Sequence, residues 1–284
     1  MNVLSLGPLA LPLTFGILLV CIIAAIITAR RLARERRADA TDRVMTGVIV
    51  ALLAARAAFV IRYWPQYADA PLSMLDIRDG GFGWIGALLG IAAYASWALW
   101  RQPGLRKALG GGLAAAAIAW AALNGIAGLL DNSQLTRPAV ALTTPDGAAT
   151  SLDALAAAHP GLPMVVNLWA TWCPPCRAEL PMLVAAQKAH PDVVFVFVDQ
   201  GEALDTVRDY LRAERLAPRN LLLDGHKDLA RVTNTMAFPT TFFFTPDGHL
   251  ATQHMGMLSK ATLARALGRL HTARPVQPAP MRSQ

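Results

Sequence analysis

The chain has 284 residues, 26 Lys and Arg against 19 Asp and Glu for a net charge of +7, and 54% hydrophobic residues. A mean hydropathy of +0.38 excludes a wholly soluble protein, while the length leaves room for two ordinary domains. Most of the net positive charge belongs to the first half, where Lys and Arg cluster in short segments flanking apolar runs, and no basic stripe interleaved with aromatics marks a nucleic-acid surface, so no nucleic-acid partner is expected.

In chain order, the first 29 residues contain no charged side chain, and Gly7 to Ala29 is long enough to cross a bilayer as a helix. The arginines follow this run instead of preceding it, which predicts a retained helix and not a cleaved signal peptide. Arg30, Arg31, Arg34, Arg36, Arg37 and Arg43 form a cytoplasmic marker. A second helix is predicted from Val44 to Ile61, with Arg56 inside it. The loop Trp64 to Gly80 carries Asp69, Asp76 and Asp79 against Arg78 and reads as external. A third helix is expected from Phe82 to Trp100, with Gly86 and Gly90 spaced for close helix packing. Arg101, Arg106 and Lys107 place the next loop inside, and a fourth helix follows from Ala108 to Leu130. Residues 1–130 therefore read as a four-helix transmembrane domain in the lipid bilayer. Four crossings put the N-terminus and everything after residue 130 on the periplasmic side of a bacterial inner membrane. A mid-membrane arginine is costly and faces a cavity, a partner or a lipid headgroup, which marks Arg56 for function.

A polar linker, 131–136, leads to a second domain, 137–272, and a Pro-rich tail, 273–284, is expected to be disordered. Ala139–Leu142 with the turn Thr144-Pro145-Asp146-Gly147 predicts an opening hairpin, and Ser151 starts a short helix. Met164–Ala170 and Asp192–Asp199 are too continuously apolar for exposed strands and predict two buried strands. Helices are expected at Pro174–His190, with Pro181 inside, at Ala203–Glu214, at Asp228–Thr233 and at Ser259–Leu270. Strands are expected at Asn220–Asp224, Thr240–Thr245 and His249–Met255. This order is α/β with a mixed central sheet.

Three cysteines exist, Cys21, Cys173 and Cys176. One CxxC pair is too few for the zinc sites built from two, and the histidines have no metal-ligand spacing, so neither a metal nor another cofactor is expected. In Trp172-Cys173-Pro174-Pro175-Cys176 the pair sits between a buried strand and a helix start. The free amides and positive end of the helix dipole favour thiolate at the first cysteine. Thiolate attacks disulfides, so Cys173 reads as the nucleophile and Cys176 as the resolving thiol, a redox-active pair.

Two resemblances accompany these readings. Gly7-Pro8-Leu9-Ala10, Ala54–Val60 around Arg56, Trp64–Pro71 and Gly80–Gly90 resemble the N-terminal part of prolipoprotein diacylglyceryl transferase. That family carries a histidine and two glycines where this chain has Ile85-Gly86-Ala87, so the resemblance implies a degenerate relative in which Arg56 can still bind an anionic lipid headgroup. The second half, with its CPPC motif and Phe238-Pro239-Thr240, resembles the thioredoxin fold and, more narrowly, the membrane-tethered TlpA/ResA-type thiol–disulfide oxidoreductases. This resemblance implies a cis peptide at Pro239, with Trp172, Phe238 and Thr240 at the substrate-binding surface. Asn167 stands where thioredoxin has a buried aspartate, leaving Glu179 as the proton acceptor for Cys176. The implied partners are periplasmic proteins with disulfides or thiols and a membrane thiol–disulfide reductant or oxidant. Two other readings stay open: a lipid-modifying protein with an accessory thioredoxin domain, and a non-catalytic binding module.

Overall fold

The computed structural model describes residues 3–6, 9–33, 37–68, 70–130, 135–235 and 237–272. The chain divides into two compact units, Met1–Ser133 and Gln134–Gln284. The expected marker residues Arg34 and Arg36, most of the linker at 131–134, and the tail 273–284 lie outside the described residues.

In the first unit, β1 (Val3–Leu6) and β2 (Leu9–Pro12) form an antiparallel hairpin, and α1 runs Leu13–Ala33. The expected helix start at Gly7 is corrected by this hairpin: α1 begins only after Pro12, whose ring and missing N–H disfavour a helix interior. Then come α2 (Arg37–Arg62), α3 (Trp64–Tyr67), 3₁₀ turns at Pro71–Leu75 and Ile77–Asp79, α4 (Trp84–Arg101) and α5 (Arg106–Leu130). Among the described residues three helical stretches, Leu13–Ala33, Asp39–Arg62 and Pro103–Leu129, are long and apolar enough to cross a membrane. The 18 residues of α4, with three tryptophans, a tyrosine and Arg101, are not among them.

The packing of α4 on α2 follows from its small residues. A Cβ on Gly86 would lie 2.5 Å from the Ala54 carbonyl oxygen and from the Ala58 Cβ. One on Gly90 would lie 2.6 Å from the Ala54 Cβ. Only glycine allows that approach.

The second unit is built on a mixed seven-stranded sheet. Its strands are β3 (Leu142–Thr143), β4 (Ala149–Thr150), β5 (Met164–Trp169), β6 (Val194–Gln200), β7 (Leu221–Asp224), β8 (Thr240–Phe244) and β9 (Leu250–Met255). Their order is β4-β3-β7-β6-β5-β8-β9. β5, β6 and β7 are parallel, while β8 and β9 add antiparallel on the other side of β5. The helices are α6 (Leu152–Ala158), α7 (Pro174–Ala189), α8 (Leu204–Ala213), α9 (Asp228–Val232) and α10 (Lys260–Thr272).

Alternation along the strands sorts side chains between two cores. Val165, Trp169, Phe195, Phe197 and Phe243 pack against α7, α8 and α10. Met164, Val166, Leu168, Val196 and Phe242 pack with Leu152 of α6 and Leu229 of α9. Both faces of the central strands are covered, which is why they read as unbroken apolar runs. The site therefore sits at the carboxyl end of β5, where the chain turns into α7.

Candidate active site at the β5–α7 turn

Cys173 is the N-cap residue of α7, with extended φ and ψ of -94° and 105°, and Pro174 follows in the first turn. Proline suits that place because its missing N–H would have had no helical partner. The Cys176 amide donates to the Cys173 Sγ at 3.3 Å, and the two sulfurs are joined in a disulfide. Cys173 is 3% exposed and Cys176 is fully buried, so an attacking group reaches the pair from the Cys173 side. Trp172 is 60% exposed over this edge, and its ring meets Phe238 edge-on with centroids 6.1 Å apart.

The Phe238–Pro239 peptide is cis. The Pro239 carbonyl accepts from the Gly256 amide at 2.9 Å. Thr240 enters β8 between Leu168 and Met255, its side chain is buried, and its hydroxyl donates to the Ala237 carbonyl at 2.7 Å. Of the three residues expected at the substrate surface, Trp172 is exposed, Phe238 is half-buried and packs against both cores, and the Thr240 side chain faces inward.

Glu179 lies one turn beyond Cys176 on α7 and is 2% exposed. Its Oε1 accepts from Asn167 Nδ2 at 2.8 Å and its Oε2 from the Leu258 amide at 2.7 Å. Asn167 also donates to Thr241 Oγ1 at 2.9 Å, and its own Oδ1 is buried without a partner. Burial pushes the Glu179 carboxyl up to about 7, against the opposing pull of the two hydrogen bonds. A carboxyl poised there can take a proton near neutrality and return it.

The sequence reading missed Thr171, Asp199 and Glu202. Thr171 donates its amide and hydroxyl to the two oxygens of Glu202, at 2.6 and 2.5 Å. The Glu202 amide donates to Asp199 Oδ1 at 2.9 Å. A signal was present: Asp199 lies at the carboxyl end of an apolar strand, the end of the sheet where α/β folds place their sites. Among the described residues no cluster of three or more His, Cys, Asp or Glu could hold a metal ion.

Arg56 belongs to the first unit. Its Nε donates to the Met74 carbonyl at 3.0 Å; Nη1 donates to Asp79 Oδ1 at 3.0 Å and the Gly81 carbonyl at 2.9 Å. Nη2 donates to the Asp76 carbonyl at 2.8 Å and the Ser73 carbonyl at 3.4 Å. Every N–H of the guanidinium is engaged inside the chain, so a lipid headgroup would have to displace protein acceptors.

Residues 2–136 match the family model for prolipoprotein diacylglyceryl transferase, and residues 135–253 match that of the AhpC/TSA family. Sporulation thiol-disulfide oxidoreductase A of Bacillus subtilis is 26% identical over 36% of this chain and 65% of its own length. Thioredoxin-like protein YneN of the same organism is 30% identical over 38% of this chain and 64% of its own. Phosphatidylglycerol–prolipoprotein diacylglyceryl transferase of Shouchella clausii is 32% identical over 32% of this chain and 34% of its own. The chain thus spans less than two thirds of each of these relatives. The two halves are similar to two different families: the C-terminal half to thiol-disulfide oxidoreductases, the N-terminal half to the diacylglyceryl transferase.

Proposed function

We propose that this is a membrane-anchored periplasmic thiol–disulfide oxidoreductase that reduces protein disulfides through Cys173 and Cys176. The observation that carries the reading is the disulfide at the N-terminus of α7 with a buried carboxyl one turn beyond it. In the reduced enzyme, Cys173 thiolate attacks one sulfur of a client disulfide. The client's other sulfur leaves as thiolate and takes up a proton. Cys176 then gives its proton to Glu179 and attacks the Cys173 sulfur, which releases the second client thiol and closes the ring seen here. A membrane dithiol returns the enzyme to its reduced form. Phe238, ahead of the cis proline, offers its backbone to an extended client segment, and Trp172 covers the mixed disulfide.

Beside the three long apolar helices we assign α4 as the fourth crossing, because it lies against α2 along a glycine-lined seam. Four crossings bring the redox unit to the outer side. The rival is a lipid-modifying protein with an accessory thioredoxin domain. Ile85 in place of the histidine of that family weighs against it, as do the fully engaged donors of Arg56.

The test is disulfide reduction by the full-length protein in detergent, with insulin as substrate and dithiothreitol as reductant. Wild type accelerates the reaction, Cys173→Ser does not, and Cys176→Ser accumulates mixed disulfides in cells. Equal rates for wild type and Cys173→Ser would sink the reading.

A further inference from the structure

The loop that presents the cysteines is held from a second side by groups that disulfide exchange does not use. Thr171 lies two residues before Cys173, and its amide and hydroxyl both donate to the Glu202 carboxylate, at 2.6 and 2.5 Å. Glu202 is tied in turn to the end of β6, since its amide donates to Asp199 Oδ1. Asp199 is fully buried, and its Oδ2 has no hydrogen-bond partner. Trp169 stands at the same register of the adjacent parallel strand, and its indole N–H is likewise buried without a partner. Thr171 thus makes two short bonds to the two oxygens of one carboxylate, a pairing that fixes its orientation as well as its distance.

The groups facing this pair are few. The Lys227 side chain lies across Gly201, with its Cε 2.5 Å from where a Cβ would stand. Asp224 does not face the pair: it accepts from Gln200 Nε2 at 3.3 Å and from the amides of Asp228 and Leu229, on the other face of the sheet. Tyr210 packs on the Trp169 ring at 5.8 Å. Glu179 shares this sheet face through Asn167. Burial, with the Glu202 carboxylate beside it, raises the Asp199 carboxyl to about 7.

We propose that Glu202, backed by Asp199, is a positioning residue for the dithiol, a strap that holds the Trp172–Cys173 loop against the end of β6. The inference rests on the disulfide-exchange reading of Cys173 and Cys176. While Asp199 keeps its proton, no charge stands beside the Glu202 carboxylate at the end of β6. Once Asp199 ionises, its buried charge repels the half-buried Glu202 carboxylate beside it, and the strap loosens. The Cys173 end of the site then changes with pH independently of Glu179, which serves Cys176.

The test follows alkylation of Cys173 against pH in the full-length Cys176→Ser protein, where Glu179 has no thiol to serve, by mass spectrometry of the Cys173 peptide. Glu202→Ala and Thr171→Val should each change the rate roughly tenfold, the scale of one charge-assisted buried hydrogen bond. Thr171→Ser, which keeps both donors, should match the parent. Asp199→Asn should remove an inflection near neutrality that the parent shows. The inference is overturned if Glu202→Ala and Thr171→Val react like the parent, or if both lower the rate by one factor at every pH and Thr171→Ser does the same. The Thr171 pair decides the matter even where an Asp199 variant does not fold. A parent whose Cys173 never reacts would refute the exchange reading itself, a separate result.

Discussion

In the proposed exchange, Glu179 is the residue that takes the proton of Cys176. Its carboxyl is lifted from the usual 4.5 to about 7, because burial outweighs two good hydrogen bonds. A carboxyl whose folded pKa is raised stabilises the fold while protonated. That contribution is complete below the unfolded value near 4.5 and is lost as pH rises through about 7. The difference corresponds to about 3 kcal/mol. Asp199, also raised to about 7 by burial first and Glu202 second, acts in the same direction. The melting temperature of the oxidised full-length protein should therefore fall between about pH 5 and pH 8, and Glu179→Gln should flatten part of that slope. Calorimetry at the two pH values checks this, and equal slopes in the two proteins would refute it. The same substitution should slow the second, resolving step roughly 10²-fold near neutrality, the usual weight of a positioned acid–base group. Stopped-flow quenching with Trp172 as reporter would register the change.

At the scale of elements, the sharpest contact is the crossing of α2 and α4. Gly86 and Gly90 admit the Ala54 backbone and the Ala58 methyl at distances that no other residue permits. Gly86→Leu should force these helices apart and lower the detergent-solubilised melting temperature of the first unit. A variant with unchanged melting would show that the seam is not required. Arg56 ties α2 to the loop 73–81, and Asp79 faces it with 3% side-chain exposure. Arg56→Ala strands that carboxylate, a loss of about 3–5 kcal/mol for a broken buried pair. Arg56→Ala with Asp79→Asn should recover part of the loss. If the double variant is no better than the single one, Asp79 is not what Arg56 serves.

For the whole molecule, the testable feature is sidedness. After reduction, a membrane-impermeant maleimide added to intact spheroplasts should label Cys173 while Cys21, buried in α1, stays unlabelled. Labelling of Cys173 only after lysis would place the redox unit in the cytoplasm and overturn the four-crossing topology.

Local chemistry alone carried much of this protein. The apolar runs, the flanking arginines, the Cys173–Cys176 spacing ahead of a helix, and the continuous strands β5 and β6 were all legible, because each depends on neighbours within a few residues. The place of Glu179, one turn from Cys176 on a single helix, was legible too. The hairpin before α1 was not, since an uncharged run reads as helix whether or not Pro12 delays its start. Three features needed the third dimension. Asn167 and the Leu258 amide meet at Glu179 only when β5 and the β9–α10 connection pack on α7. Glu202 reaches Thr171 across 31 residues because β5 and β6 end side by side. The donors of Arg56 are engaged by a loop more than fifteen residues away, a set of partners that its position in the sequence does not reveal. Spacing along the chain sets what a residue can do, but desolvation and the arrival of distant partners decide what it does.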